Sequence, residues 1–397
     1  MDRTSTLALT GSPDEQVWQG VSNLVESYVA PRADDLVFIL YTVDARDAAA
    51  WIFAELSSRG MRPTLFGMNP IHDATVEQRL RAALPAPSTA RRIVLLTVER
   101  DSMSHFMEIR RALAPHPPES WSVLRIINAS EEFFRHSMSV SPQTLSAING
   151  ALLKRMMPSR SLHISSSSGT SLDVEIDSTR YRWLSNRGAR RDGAFMILPP
   201  GEVSTFPANI NGRLVADGAF NVTAFTAADA RLGQHPVTLE IEEGRVVDFS
   251  CASPEIEGLI RRCMTYQNCD RVGELGFGTN VGTQGFIAMN SHINERHPGV
   301  HIGLGQHGQK DSVVQYTAKI HLDLITSDAK IRTDSGEVID STDLMSFRDE
   351  SHPNPIESGI NEEDIDGDCC GLIPVEVERA KAEYLRLKNC GERQPSG

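Results

Sequence analysis

The chain has 397 residues, 40% of them hydrophobic and 23% charged, the composition of a soluble globular protein with room for two domains. Its net charge of −13 argues against nucleic acid or an anionic membrane as the main partner, because both require a basic footprint. No apolar run approaches the ~20 residues of a membrane span. No secretory pattern is visible from Met1 to Glu15, and six scattered cysteines do not make a disulfide scaffold in a chain of this length, so a cytoplasmic protein with reduced thiols is expected.

From residue 36 to 150, strand and helix signals alternate. Leu36–Tyr41, Thr64–Phe66, Arg92–Thr97 and Val123–Ile127 are short apolar runs suited to buried strands. Between the first two, Asp44 precedes an alanine-rich stretch, Ala48 to Leu56, that stops at Arg59-Gly60, which reads as a helix capped by an acid and ended by a glycine. Repeated strand–helix units predict a layered α/β domain with a parallel sheet over residues 1–155. No glycine-rich phosphate loop follows any of these strands, so a nucleotide role has no support.

The texture changes near residue 160. Alternating runs at 162–164 and 172–176, 237–241 and 245–249, and 329–332 and 337–339 predict three hairpins, with a helix from Pro254 to Cys263. Residues 156–345 therefore read as a second, α+β domain built on antiparallel strands. The chain as a whole is α/β plus α+β. Residues 346–397 form an extension. It contains an acidic stretch from Arg348 to Asp368, a helix over Val375–Lys388 that docks on the body or on a second subunit, and a Cys369-Cys370 doublet that is either a metal or redox pair or incidental.

The chemistry lies in the second domain. Glu274 stands in Gly-Glu-Leu-Gly-Phe-Gly, His301 in Gly-Val-His-Ile-Gly-Leu-Gly, and His321 and Asp323 in a His-Leu-Asp run. Charged groups framed by glycine and apolar residues are poorly solvated, and a metal ion is the partner that best offsets their desolvation. On a strand, His321 and Asp323 face the same side and reach one cavity. Glu202 follows Pro199-Pro200-Gly201, a rigid turn that fixes where its carboxylate points. The bland alternatives are a partly exposed strand face for His321 and Asp323, a satisfied core histidine for His301, and a turn-capping acid for Glu274.

The ordered set Pro-x-Gly-Glu-Val, Gly-Glu-Leu-Gly-x-Gly-Thr-Asn, His-Ile-x-Leu-Gly and His-x-Asp resembles the aminopeptidase T (leucyl aminopeptidase) family of metallopeptidases, in particular its shorter members. The resemblance spans roughly residues 36–345. It implies Glu202, Glu274, His301, His321 and Asp323 as ligands of two divalent metal ions, for which Zn, Co or Mn suit the donor set. It also implies hydrolysis of N-terminal peptide or related amide bonds, and a homodimer. Glu295 stands nearest the family's acidic residue before the third motif, as general base or as support, the alternative being a solvated loop. The family places a tyrosine where this chain has Gly308, so His307 or Tyr316 is the expected substitute. Two other readings remain. One is a mononuclear iron, ring-cleaving dioxygenase acting on a hydroxypyridine-like substrate, in which a histidine stands at the place of Glu274. The other is a non-hydrolytic binding relative in a peptide pathway.

Overall fold

The computed structural model describes residues 14–70, 72–87, 91–100, 105–349 and 361–362. The Val375–Lys388 helix and the Cys369-Cys370 doublet lie outside the described residues. Of the acidic stretch, Arg348, Asp349, Asn361 and Glu362 lie within them. Among the described residues, no helix is long and apolar enough to cross a membrane.

The four apolar runs of the first half form a parallel sheet. Its order is Thr64–Met68, Leu36–Thr42, Ile93–Glu99, Trp121–Ile127, then Phe195–Leu198. The central strand Ile93–Glu99 is buried along its whole length, as expected of a parallel strand covered on both faces. On one face Val37, Ile39, Leu96 and Leu124 pack against Val17, Leu24, Ile52 and Phe133 from the helical segments. On the other, Leu40, Leu95, Val123 and Ile197 pack against Leu80, Phe106 and Ile109. The helix after the first strand runs Arg46–Ser58. Asp44 does not cap it, because the acid lies within a short turn, Val43–Ala45, and the capping position falls to Ala45. Gly60, with φ +81°, ends the helix as its position suggested.

The fifth strand of this sheet is supplied by the second half of the chain. Phe195–Leu198 pairs with Trp121–Ile127, and the chain then turns through Pro199, Pro200 and Gly201 into the strand Glu202–Thr205 of another sheet. The parallel layer and the antiparallel part are thus tied by a connection only a few residues long.

Among the described residues, the remaining strands form two seven-stranded sheets. One is antiparallel throughout and contains the three predicted hairpins, Ser161–Ser165 with Ser171–Glu175, Val237–Glu242 with Arg245–Cys251, and Lys330–Thr333 with Val338–Asp340. The other carries the acids and imidazoles. Its order is Ala219–Val222, His321–Ile325, Gly299–Gly305, Val272–Gly278, Glu202–Thr205, Trp183–Asn186 and Asn361–Glu362, with the last pair alone parallel. A single apolar core joins the sheets, drawing Ile164, Leu172 and Leu239 from one and Leu275, Ile302 and Leu324 from the other. The predicted helix is present as Pro254–Met264, capped by Ser253.

One buried amide clamps this arrangement. Asn149, on the helix Pro142–Met156, donates to Ser185 Oγ (3.0 Å), Asn186 O (3.3 Å) and Glu202 O (3.0 Å), and accepts from Thr279 Oγ1 at 2.6 Å. Replacing it by leucine leaves these groups buried without partners, each costing about 1–3 kcal/mol. Asn149→Leu is expected to lower the urea-unfolding free energy by about 2–4 kcal/mol; an unchanged midpoint would show that the clamp is not needed.

Candidate metal centre

The site is built by strand alternation. On the face of the sheet turned from the core, each charged residue is set opposite a glycine on a neighbouring strand. Glu202 pairs with Gly278, His301 with Gly276, Glu274 and Asp323 with Gly303, and His321 with Gly305. The alternate residues Leu275, Phe277, Val300, Ile302, Leu304, Leu322 and Leu324 enter the core. The glycine spacing in the sequence is therefore the space in which the charged side chains lie. A Cβ on Gly276 would stand 1.9 Å from His301 Nε2. A Cβ on Gly303 would meet Asp323 Oδ1, Glu274 Cβ and His321 Cε1, each at 2.9 Å.

Glu202, Glu274 and His301 each offer one ligand atom within 4.8 Å of the others. His301 Nε2 lies 3.1 Å from Glu202 Oε1. His321 Nε2 lies 3.0 Å from Asp323 Oδ1 and 3.5 Å from Glu274 Oε2. The second nitrogen of His321, Nδ1, is 3.3 Å from Gln306 O, which orients the ring. Neither oxygen of Asp323 has a donor at hydrogen-bonding angle among the described residues, although the side chain is fully buried. Buried oxygens of this kind, beside two imidazoles and two further carboxylates, suit a divalent cation.

Behind these residues lies a supporting layer. The stretch from His292 to Arg296 is a short buried helix rather than a solvated loop, capped by Ser291. The Arg296 guanidinium pairs with Glu202 and donates from Nε to Pro199 O at 3.0 Å. Asn221, on the strand next to Asp323, donates to Glu295. Burial, followed by the neighbouring charge of Asp323, pushes the Glu295 carboxyl well above its usual range. Burial opposes the charged form of Asp323, yet the charge of His321 holds that group well below the usual carboxylate range. Burial lowers His301, and it lowers His292 to about 4, so both imidazoles are neutral near pH 7.

The five ligands expected from the sequence thus meet on one sheet face, and Glu295 stands directly behind Asp323. His307 is engaged elsewhere. Its Nε2 lies 2.8 Å from Tyr316 O and its ring packs edge-on against Tyr316 and Phe206. Among the described residues, no hydrogen bond or ion pair links His307 to the five. Tyr316 lies over Arg271 and lines a separate cavity of about 430 Å³ with Arg180, Phe206 and Arg245. Arg296, Asn221 and His292 were not read from the sequence. The stretch from Ser291 to Arg296 is polar apart from Ile293 and has no periodicity, so its burial had no local signal.

No protein-family model matches this chain, and no curated protein matches it. Among solved structures it is similar to 2,5-dihydroxypyridine dioxygenase from Pseudomonas putida, with a TM-score of 0.55 at 13% identity over 82% of this chain and 96% of that one. Wild-type AmpT from Thermus thermophilus also matches, with a TM-score of 0.49 at 14% identity over 82% of this chain and 97% of that one. At such identity the likeness establishes the fold. A fold shared with an oxygenase does not select hydrolysis, so the choice rests on the side chains of the site.

Gly303→Ala is expected to cost about 1–3 kcal/mol in stability through overpacking and to weaken divalent-metal binding at least ~10-fold by displacing Glu274, His321 and Asp323. Competition against a chromogenic chelator measures the second effect; unchanged metal affinity would mean that these three groups do not act together.

Proposed function

We propose that this protein is a divalent-metal-dependent hydrolase of small amides or peptides. In this reading Glu202, Glu274 and His301 form the heart of the metal site, and His321 and Asp323 extend it to a second ion. The observation that carries the reading is the convergence of the three donor atoms within 4.8 Å on one sheet face. Charge supports it as well. Three carboxylates, Glu202, Glu274 and Asp323, gather there against one guanidinium, that of Arg296 on Glu202, and such a concentration of acids favours a divalent cation.

Divalent ions held there would polarise an amide carbonyl and make a water acidic enough to attack it near neutral pH. The chain's own residues supply the rest. Arg296 fixes the direction of Glu202, Gln306 O fixes His321, and Glu295, between Asn221 and Asp323, is placed to hold and move a proton. A mononuclear iron centre would need two imidazoles and one carboxylate. The two additional carboxylates, Glu202 and Glu274, favour the hydrolytic reading.

Elemental analysis of the purified protein is expected to find two equivalents of zinc, cobalt or manganese. Glu274→Ala is expected to lose at least one equivalent and to lower kcat/KM for dipeptide hydrolysis by about 100-fold or more. One equivalent of iron, with oxygen uptake on a hydroxylated pyridine, would overturn the proposal. Glu295→Gln should keep the metals and lower kcat by roughly 10²–10⁴; an unchanged kcat would remove Glu295 from the reaction.

A further inference from the structure

We infer that Arg125 is the residue that binds a carboxylate of the substrate, so that the site takes small amides bearing a free carboxylate, such as dipeptides. The substrate class rests on the hydrolytic reading above; the anion-binding role of Arg125 rests on its own surroundings.

Arg125 lies on the strand Trp121–Ile127, in register with Thr97 on one side and Ile197 on the other. It is fully buried. Among the described residues, none of its three guanidinium nitrogens has a hydrogen-bond partner, and no carboxylate forms an ion pair with it. The Phe106 ring lies 5.0 Å from the guanidinium carbon and covers one of its faces. A guanidinium stays charged at any physiological pH, and its fork of donors is the most costly group to bury unpaired. Arg296, the other buried arginine among the described residues, is treated differently, being set on Glu202, and the half-buried Arg92 is set on Asp35 at 2.7 Å.

The polar groups around Arg125 are left open as well. Thr97, its register partner, has a buried hydroxyl with no partner among the described residues, and so does Thr42 on the next strand. Strand alternation puts all three on the face shared by Leu40, Leu95 and Val123. They gather toward the carboxyl ends of parallel strands, where α/β sheets bind ligands. The metal site is close by two routes. The neighbouring strand Phe195–Leu198 continues within a few residues to Glu202. His292 also feels the charge of Arg125 together with those of Asp323, His321 and His301. One guanidinium fork beside a hydroxyl matches a singly charged, planar carboxylate better than a phosphate, which calls for more than one cation.

The test uses the full-length, metal-containing protein and two probes without a scissile peptide bond, 3-phenylpropanoate and 3-phenylpropanamide, titrated by calorimetry, with inorganic phosphate as a third ligand. The acid is expected to bind at least ~10-fold more tightly than the amide. Arg125→Met is expected to abolish that preference while the ligand-free variant melts at or above the wild-type temperature, because an unpaired buried charge has been removed. Arg125→Lys, which keeps the charge but not the fork, is expected to retain part of the preference. Equal binding of acid and amide, tighter binding of phosphate than of the acid, survival of the preference in Arg125→Met, or a lower melting temperature for that variant would each overturn the assignment. Metal analysis of the same samples separates the two readings. Metal present without acid preference defeats the role of Arg125 alone, and acid preference without metal defeats the hydrolytic reading alone.

Discussion

Gathering three carboxylates and two imidazoles on one face of a sheet is the constraint around which this molecule is organised. Antiparallel pairing sets cross-strand neighbours so close that side chains at opposed positions compete for the same volume. The chain resolves the competition by placing glycine opposite every one of the five residues. The loss of packing on that face is offset on the other, where Leu275, Ile302, Leu304, Leu322 and Leu324 are fully buried. The backbone of one sheet therefore serves as both the wall of the core and the floor of the site.

Electrostatics follow from that placement. Like charges in a poorly solvated region raise one another's proton affinity unless a cation or a proton intervenes. Here Arg296 answers Glu202, and the Glu295 carboxyl, buried beside the charge of Asp323, is pushed well above its usual range. These supports come from the short helix His292–Arg296, which precedes the strand of His301, and from Asn221, which pairs with Asp323 on the neighbouring strand. The same helix is bound to the Pro199 carbonyl, so the turn that presents Glu202 and the arginine that holds it are one unit.

The two layers of the protein meet at this turn. Phe195–Leu198 belongs to the parallel sheet, Glu202–Thr205 to the antiparallel one, and Asn149 reaches from a helix to the carbonyl of Glu202. Gly201 is required there on two counts. Its φ is +111°, and a Cβ would lie 2.6 Å from that of Asn280. Asn280 itself donates to Ser137 O and Pro200 O, each at 2.9 Å. The Thr-Asn that follows Gly-Phe-Gly is thus a structural clasp between the layers, with Thr279 bonded to Asn149.

The sequence by itself determined the parallel strands, the three hairpins and the helix Pro254–Met264, because apolar periodicity and turn residues are local properties. It also pointed to Glu202, Glu274, His301, His321 and Asp323, because acids and imidazoles among glycines and apolar residues are conspicuous wherever the chain later puts them. The fifth parallel strand, Phe195–Leu198, was not separable from the apolar lead-in to Pro199, since its partner lies far earlier in the chain. The cap at Asp44 failed because a tight turn moved the helix start. Only the tertiary structure decided that Arg296 and Asn221 support the site, that His307 turns toward Tyr316, and that Arg125 is buried among open hydroxyls. Those facts depend on which side chains approach from other strands, and pairing between distant segments leaves no local periodicity to read.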